Sequence, residues 1–302
     1  MNIRPFDQPG GFYRGNLHTH STASDGARSP RAVCYAYRRR GYHFISLTDH
    51  FRERFGYPVS DTTPFRTGGF TTVFGAELHA PATSLGDHWH ILAVGLPLDF
   101  TPTGPHETGA QLATRARDAG AYVAAAHPAW YDLTDSDVQS LTAASAIEIF
   151  NTTCQESNGK GNSVGYLDRL LSQGRYYHAI ATDDAHFHEG RPDVGRNWVM
   201  VRSSHLEPAA LLDALHAGSF YSSQGPEILD IESARGGSKL TVHTSPVRRV
   251  CVSGAAASAD SVAAGSDFTS AELTVANLRG PYARITVTDK RGNRAWTNPF
   301  EL

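Results

Sequence analysis

Histidine, aspartate and glutamate side chains recur at the ends of the strands that this sequence predicts, and this recurrence restricts the possible folds most strongly. The first example is Asn16-Leu17-His18-Thr19-His20, in which two histidines separated by one residue point to the same face of a strand. Ser24-Asp25-Gly26 follows as a turn that carries a carboxylate. Such groups can meet only where several strand ends meet, at one edge of a sheet or one mouth of a barrel.

Strands and helices alternate over the first two thirds of the chain. The predicted strands span residues 12–20, 42–48, 73–77, 89–96, 122–126, 146–151, 177–182 and 197–202. A first helix begins at Ser29-Pro30 and ends at Gly41, others span 106–119, 164–173 and 207–217, and Ser136 is expected to cap a short one. Because ligand-type residues follow successive strands, a barrel-like α/β domain over residues 1–225 is favoured over an open sheet.

The pattern changes after residue 225. Short runs with β-branched residues are separated by Gly, Ser, Asn and Pro, and no helical period is visible. The runs are residues 228–233, 239–244, 249–253, 271–276 and 283–288. This pattern predicts a small all-β, sandwich-like module over residues 226–302.

Composition and charge restrict the possible partners. The 302 residues are 40% hydrophobic with a net charge of −3, so neither nucleic acid nor an anionic membrane is the expected main partner. The three cysteines, Cys34, Cys154 and Cys251, form no CxxC pair and predict neither a disulfide framework nor a thiolate zinc site. The first residues lack the apolar core of a signal peptide, and no apolar run is long enough to span a membrane. A cytoplasmic location is expected, and the oligomeric state stays open.

The chain contains fifteen histidines, several of them among nine candidate metal ligands close to strand ends. The candidates are His18, His20, Asp25, His50, Glu77, His90, His127, Asp184 and His186. Nitrogen and oxygen ligands without thiolates suit Zn²⁺, Fe or Mn²⁺. Nine ligands are too many for one ion, so two to three divalent ions are expected, with a carboxylate such as Glu77 bridging. Clusters of this kind polarise a phosphoryl oxygen and convert bound water to hydroxide near neutral pH.

Short motifs around these ligands follow one another in a characteristic order. They are His18-Thr19-His20-Ser21, Ser24-Asp25-Gly26, Thr48-Asp49-His50, Gly75-Ala76-Glu77, His90, Ala126-His127-Pro128 and Asp184-Ala185-His186. Over residues 12–225 their order and spacing resemble the PHP (polymerase and histidinol phosphatase) superfamily of metal-dependent phosphoesterases. The resemblance implies a distorted (β/α)7 barrel with a metal cluster at the carboxyl ends of the strands.

The same resemblance implies how the ligands are shared in a trinuclear site. One ion would be held by His18, His20, Glu77 and Asp184, a second by Glu77, His90 and His127, and a third by Asp25, His50 and His186. The expected catalytic residues are therefore Glu77, His127 and Asp184. Phe220–Ile228, Ala295–Pro299 and Gly174–Tyr176 are similar to sequences of a carbaryl-hydrolase-like branch, which also carries a C-terminal β module.

Cationic side chains on loops beside the ligands could bind an anionic substrate, although ordinary surface charge explains each of them equally well. The candidates are Arg52, Lys160, Arg191 and Arg196. His79, His88 and His188 are further histidines that could protonate a leaving group or lie outside the site. Asn151, Asp49 and Asp183 could orient the ligands.

The leading hypothesis is a metal-dependent phosphomonoesterase or phosphodiesterase that uses metal-bound hydroxide on a small-molecule phosphate ester. An alternative keeps the metals and changes the substrate to a carbamate, ester or amide. A third hypothesis is a barrel that binds metal or ligand without turnover. Cys154 has no evident activating partner in the sequence, so covalent catalysis has little support.

Overall fold

The computed structural model describes residues 3–234 and 237–302. The α-helices in these ranges are α1 (Pro30–Arg38), α2 (Gly109–Asp118), α3 (Asp135–Ser140), α4 (Thr152–Asn158), α5 (Val164–Ser172) and α6 (Pro208–His216). The strands are β1 (Gly11–Asn16), β2 (Phe44–Leu47), β3 (His50–Phe51), β4 (Thr71–Leu78), β5 (Ile91–Val94), β6 (Tyr122–Ala125), β7 (Ala146–Asn151), β8 (His178–Thr182), β9 (Trp198–Ser203), β10 (Phe220–Ser223), β11 (Ile228–Ser233), β12 (Lys239–Ser253), β13 (Ala259–Thr274), β14 (Tyr282–Thr288), β15 (Arg294–Thr297) and β16 (Phe300–Glu301). None of these helices is both long enough and apolar enough to cross a membrane.

One large mixed sheet organises the molecule. Its strand order is β11-β12-β14-β15-β10-β9-β1-β2-β4-β5-β6-β7-β8. The β1–β2, β2–β4, β6–β7 and β7–β8 pairs are parallel, whereas β5 is antiparallel to both neighbours. Since β5 runs in the opposite direction, its amino end lies beside the carboxyl ends of its neighbours. This reversal is why His90, just before β5, lies near Glu77 at the end of β4.

Within the described residues the sheet does not close, so the expected (β/α)7 barrel is not confirmed. β8 ends the strand order, and side chains satisfy part of its free edge. The Ser222 hydroxyl donates to the Ala179 carbonyl at 2.8 Å and accepts from the Ala181 amide at 2.9 Å. The Asn298 side-chain oxygen accepts from the Ala179 amide at 2.8 Å. The side chains of Ser222 and Asn298 therefore bind backbone groups of β8 that a neighbouring strand would bind in a closed barrel.

Beyond the strand ends, a single parallel bridge joins the segments that follow β1 and β8. It pairs Thr19 with Ala185, and the His20 amide donates to the Ala185 carbonyl at 2.9 Å. The bridge holds the ligand-bearing segments after β1 and β8 side by side, although the strands themselves are not joined.

The helix starts follow short capping signals. α1 begins as predicted, because the Ser29 side chain caps it by accepting from the Ala32 amide. The prediction that Ser136 caps the next short helix is wrong, since Thr134 caps α3 in a capping box with Asp137. The box satisfies backbone donors at both ends of the first turn, which a cap at Ser136 would not do.

The described residues after 225 form strands and loops only. β12 is one long strand whose register shifts between His243 and Arg249. Its first half pairs with β11 and its second half with β14, so it connects two parts of the sheet. These strands bury an apolar cluster that includes Val250, Ile285 and Val287, and β15 continues the sheet by pairing with β10.

Candidate metal centre

The structure brings all nine predicted ligands to one end of the sheet. Seven of them line a cavity of about 310 Å³: Asp25, His50, Glu77, His90, His127, Asp184 and His186. His18 and His20 are fully buried and contact the Asp184 carboxylate, with nitrogen–oxygen distances of 3.3 and 2.8 Å. These segments are distant in sequence, and the strand order brings their ends together.

Glu77 lies at the centre of the cluster. One carboxylate oxygen is 2.6 Å from His90 Nδ1 and 3.2 Å from His127 Nε2. The other oxygen is 2.5 Å from His50 Nδ1 and 3.7 Å from His18 Nε2. A buried carboxylate with histidines on both oxygens has the position expected of a ligand shared between ions.

Asp25 forms a second group at the open side of the cavity, where its side chain is 38% exposed. Its two oxygens lie 3.4 Å from His186 Nε2 and 3.4 Å from His50 Nε2. His20 completes the group, and all four side chains offer ligand atoms within 4.8 Å of one another. The turn at residues 24–26 therefore brings its carboxylate to the cluster, as predicted.

Two of the ligands have left-handed backbone conformations, with φ of 26° for His127 and 53° for Asp184. Such conformations are uncommon for residues other than glycine and persist where surrounding contacts impose them. Here they turn the chain sharply just after β6 and β8, so that both side chains enter the cavity.

The cluster contains buried polar atoms that form no hydrogen bond of acceptable geometry within the described residues. They are His18 Nε2, His20 Nδ1, His127 Nδ1 and Glu77 Oε2, the last in spite of its 2.5 Å approach to His50 Nδ1. Unsatisfied buried groups are costly, and native proteins contain few of them. Imidazole nitrogens and carboxylate oxygens are also a donor set suited to divalent cations. The residues present therefore fit metal ions.

Charges within the cluster shift the pKa values of its members in opposite directions. Burial would raise the pKa of Glu77 and of Asp184, but the neighbouring histidines hold both well below the usual range. Burial would lower the pKa of His50, but Glu77 and Asp25 outweigh it and raise the pKa to about 10. The ionised carboxylates thus retain a proton on His50, and metal binding would displace that proton.

Glu148 is a buried carboxylate of this site that sequence reasoning missed. Its Oε1 lies 2.9 Å from His18 Nδ1 and also accepts from the Thr182 hydroxyl. Its Oε2 accepts from the His127 amide at 2.7 Å and from Asn151 Nδ2 at 3.0 Å. A carboxylate between the apolar residues Ile147 and Ile149 of β7 was the available signal, because a buried charge requires partners.

Asp49 and Asp183, which directly precede the ligands His50 and Asp184, accept hydrogen bonds from neighbouring loops. Asp49 accepts from the Ser21 amide and hydroxyl and from the Ser24 hydroxyl, each at 2.7 Å. Asp183 accepts from the backbone amides of residues 195–197. Both therefore position loops that carry or flank ligands, whereas Asn151 contacts the Asp184 carboxylate directly, at 3.1 Å.

Two of the predicted substrate-binding residues lie at or beside the cavity. Arg191 contributes to its wall together with the ligands. Arg52 lines an adjoining cleft with His90 and Trp130, and its Nη2 is 3.1 Å from His79 Nδ1. Both guanidinium groups are therefore close to the cluster.

The other two predicted substrate-binding residues lie farther out. Lys160 pairs with Asp132 at 2.6 Å and does not line the cavity of the ligands. Arg196 lines a neighbouring pocket that contains Arg191. The structure thus separates the four candidates into two near the cluster and two at its periphery.

The three further histidines, His79, His88 and His188, also differ in how close they lie to the cluster. His79 is buried against His50, with 2.9 Å between their ring nitrogens, and belongs to a possible ligand group with Glu77. His188 is exposed and lines the cavity, whereas His88 lines the adjoining clefts. Cys154 also lines the cavity, but burial strongly raises the pKa of its thiol, so it is not poised as a nucleophile.

No family profile and no curated protein matches the sequence. A solved structure does match: a two-domain protein from Bacteroides vulgatus that contains a predicted PHP-like metal-dependent phosphoesterase. The alignment covers 100% of this chain and 99% of that one, with 16% identity and a TM-score of 0.54. The fold is PHP-like. The expected resemblance to the superfamily is confirmed at the level of the fold, whereas the carbaryl-hydrolase-like branch stays a prediction.

Two further solved structures match part of the chain. A putative metal-dependent phosphoesterase from Bifidobacterium adolescentis has 14% identity and a TM-score of 0.41, with 59% of this chain and 89% of that one covered. An amidohydrolase from Chromobacterium violaceum has 15% identity and a TM-score of 0.41, with 57% and 87% covered.

Proposed function

We propose that this chain is a metal-dependent hydrolase of the PHP superfamily that cleaves a phosphate monoester or diester of a small molecule. The observation that carries the proposal is the convergence of nine nitrogen and oxygen ligands around one cavity, where several donor atoms are buried without partners. The guanidinium of Arg191 in the same wall favours an anionic substrate.

Three ligand groups are proposed to hold Zn²⁺, Fe or Mn²⁺. They are His18, His20, Glu77 and Asp184; Glu77, His90 and His127; and Asp25, His50 and His186. Donor atoms of Glu77, His90 and His127 lie close together as this division requires, as do those of His18, His20 and Glu77. The donor atoms of Asp25, His50 and His186 also lie close together, with His20 beside them. Ions bound there would act as Lewis acids toward the ester and lower the pKa of coordinated water.

The side chains of the protein itself would position the substrate. Glu77, His127 and Asp184 are the proposed catalytic residues, as ligands that face the cavity. Arg191 would hold phosphoryl oxygens through charge-assisted hydrogen bonds. His188, exposed at the cavity wall, would donate a proton to the leaving group.

Metal content is the first test. Elemental analysis of protein purified without added metal is expected to show two to three ions per chain. Zero or one ion would contradict a trinuclear centre.

Phosphate release is the second test. The metal-loaded protein is assayed against a panel of nucleotides and sugar phosphates and, in parallel, against carbamate esters. Phosphate release is expected, and Asp184→Ala should reduce it to below about a hundredth, because the variant removes a ligand. The exposed Asp213→Ala is the matched control and should retain the rate. Hydrolysis of carbamate esters alone would favour the alternative substrate class, and hydrolysis of neither panel would favour a binding protein.

A further inference from the structure

A second pocket, of about 580 Å³, adjoins the candidate metal centre and is rich in arginine. The segment 187–196 forms most of its lining, and Arg28, just before α1, and Arg40, just after it, complete the lining. His188 and Arg191 line both this pocket and the cavity of the ligands. A molecule bound at the metal centre could therefore extend into the pocket without leaving the protein surface.

The pocket brings four exposed guanidinium groups together, those of Arg28, Arg40, Arg191 and Arg196. None forms an ion pair with a carboxylate within residues 3–234 and 237–302. Five other arginines of the described residues do pair with carboxylates: Arg115, Arg117, Arg169, Arg248 and Arg284. What distinguishes this pocket is that four guanidinium groups, unpaired within the described part of the chain, line the same space, which leaves a local positive potential.

Neutral groups hold three of these side chains in place. Arg40 donates to the Ala36 carbonyl at 3.0 Å, and Arg196 donates to the Pro192 carbonyl at 3.2 Å. The guanidinium of Arg28 lies 5.2 Å from the centre of the Phe187 ring. These contacts orient the guanidinium groups without neutralising their charge.

Two carboxylates also line the pocket. Asp193 is buried, and one of its oxygens accepts from the amides of His186 and Phe187 at 2.8 and 3.1 Å, so it shapes the loop. Glu189 is exposed and forms no ion pair within the described residues. Four guanidinium groups against two carboxylates leave an excess of positive charge that an anion would balance.

We propose that this arginine pocket binds a second anionic group, a phosphate or a carboxylate, of the same substrate whose ester is cleaved at the metal centre. The inference rests on the proposed function and narrows its substrate class to molecules with two anionic groups. It assigns Arg28 and Arg40 to substrate recognition, in addition to the guanidinium groups nearer the ligands. Guanidinium groups match the planar oxygen pairs of both phosphate and carboxylate.

The binding arm of the test does not depend on turnover. Inorganic phosphate is titrated by calorimetry into the full-length protein, as purified and again after removal of metal. Arg28→Ala and Arg40→Ala should each weaken binding to the metal-free protein about tenfold, the loss of one charge-assisted hydrogen bond. Arg38→Ala and Arg39→Ala, which remove the same charge from exposed positions of the neighbouring α1 surface, should change it less than twofold. No phosphate binding to the metal-free wild type, or equal binding in all variants, would overturn the site.

The kinetic arm tests whether the bound anion belongs to the substrate. Fructose 1,6-bisphosphate is compared with fructose 6-phosphate, and 3-phosphoglycerate with glycerol 3-phosphate. The first pair probes a second phosphate and the second a carboxylate. Arg28→Ala and Arg40→Ala should raise KM about tenfold for the two substrates with two anionic groups. For fructose 6-phosphate and glycerol 3-phosphate, which have one, KM should rise less than about twofold.

The two arms separate the possible failures. Turnover with equal KM changes in both members of each pair would overturn the assignment to the substrate while leaving the hydrolase intact. No phosphate release from any substrate would contradict the proposed function, and the calorimetric arm would still decide whether the pocket binds an anion.

Discussion

At the residue scale, Glu148 shows how one buried carboxylate can organise several ligands. It contacts the ring of His18 and the backbone of His127, and it also accepts from Asn151, which in turn donates to Asp184. A carboxylate on Nδ1 fixes which nitrogen of His18 carries the proton and leaves Nε2 as the potential ligand atom. Glu148 is thus a positioning residue for ligands that follow three different strands.

Glu148→Gln is expected to weaken metal binding about tenfold to a hundredfold, the usual effect of losing a partner of a ligand. The glutamine NH₂ group is itself a donor, so it could not accept the hydrogen bonds that this carboxylate oxygen now accepts. Competition with a chromogenic chelator measures the affinity, and Glu156→Gln on the exposed face of α4 is the control. Unchanged affinity in a folded Glu148→Gln protein would contradict this role.

At the element scale, the segment between β1 and α1 depends on a close backbone approach at Gly26. A Cβ atom at this position would lie 2.7 Å from both the carbonyl carbon and the carbonyl oxygen of His20. The Gly26 amide also donates to the Ser21 carbonyl at 2.9 Å. The tight turn therefore determines how near Asp25 comes to His20, while Asp49 ties Ser21 and Ser24 from the neighbouring strand end.

Gly26→Ala is expected to push Asp25 out of its group and to remove about one ion per chain, because backbone atoms cannot yield as a flexible side chain can. Gly68→Ala is the control, since a Cβ there meets no atom within 4 Å. Elemental analysis gives the ion count and circular dichroism the fold. A Gly26→Ala protein with the full wild-type metal content would contradict the expectation.

At the scale of the whole molecule, the C-terminal strands complete the sheet that carries the site. β15 pairs with β10, and Trp296 is buried in the same core as residues of α5 and β7. Asn298 connects three backbone groups across the open edge, accepting from Ala179 and donating to the carbonyls of Gly218 and Phe220. The boundary near residue 225 stays a proposal, and the strands after it share hydrogen bonds with the strands before it.

Asn298→Ala is expected to lower the free energy of unfolding by about 2 kcal/mol or more, because it leaves buried backbone groups without partners. Urea unfolding measures the change, with the exposed Asn277→Ala as the control. Equal stability of the two variants would show that the side chain does not hold the open edge together.

The sequence alone predicted β1, β2 and β4–β9, most of the helices and the nine candidate ligands, but it missed β3, β10 and α4 and divided β12 into two strands. A hydrophobic run of four to eight residues is a local signal that predicts both a strand and the positions of its ends. The polar residues next to those ends can therefore be read from the sequence as well. The i,i+2 spacing of His18 and His20 likewise depends only on the geometry of a strand. Helix caps were less certain, as Thr134 replaced the expected Ser136, because neighbouring hydroxyl residues offer similar signals.

Only the tertiary structure decided whether the sheet closes, which carboxylate supports His18 and which arginines meet beside the cavity. Glu148 is 130 positions from His18, and Arg28 and Arg40 join a loop that begins at residue 187. These contacts depend on strand order and on the packing of α1, neither of which leaves a periodic trace in the sequence. The ligands could be predicted because each lies at or near the end of a strand, which is a local feature of the sequence. Their partners become neighbours only when distant segments pack together.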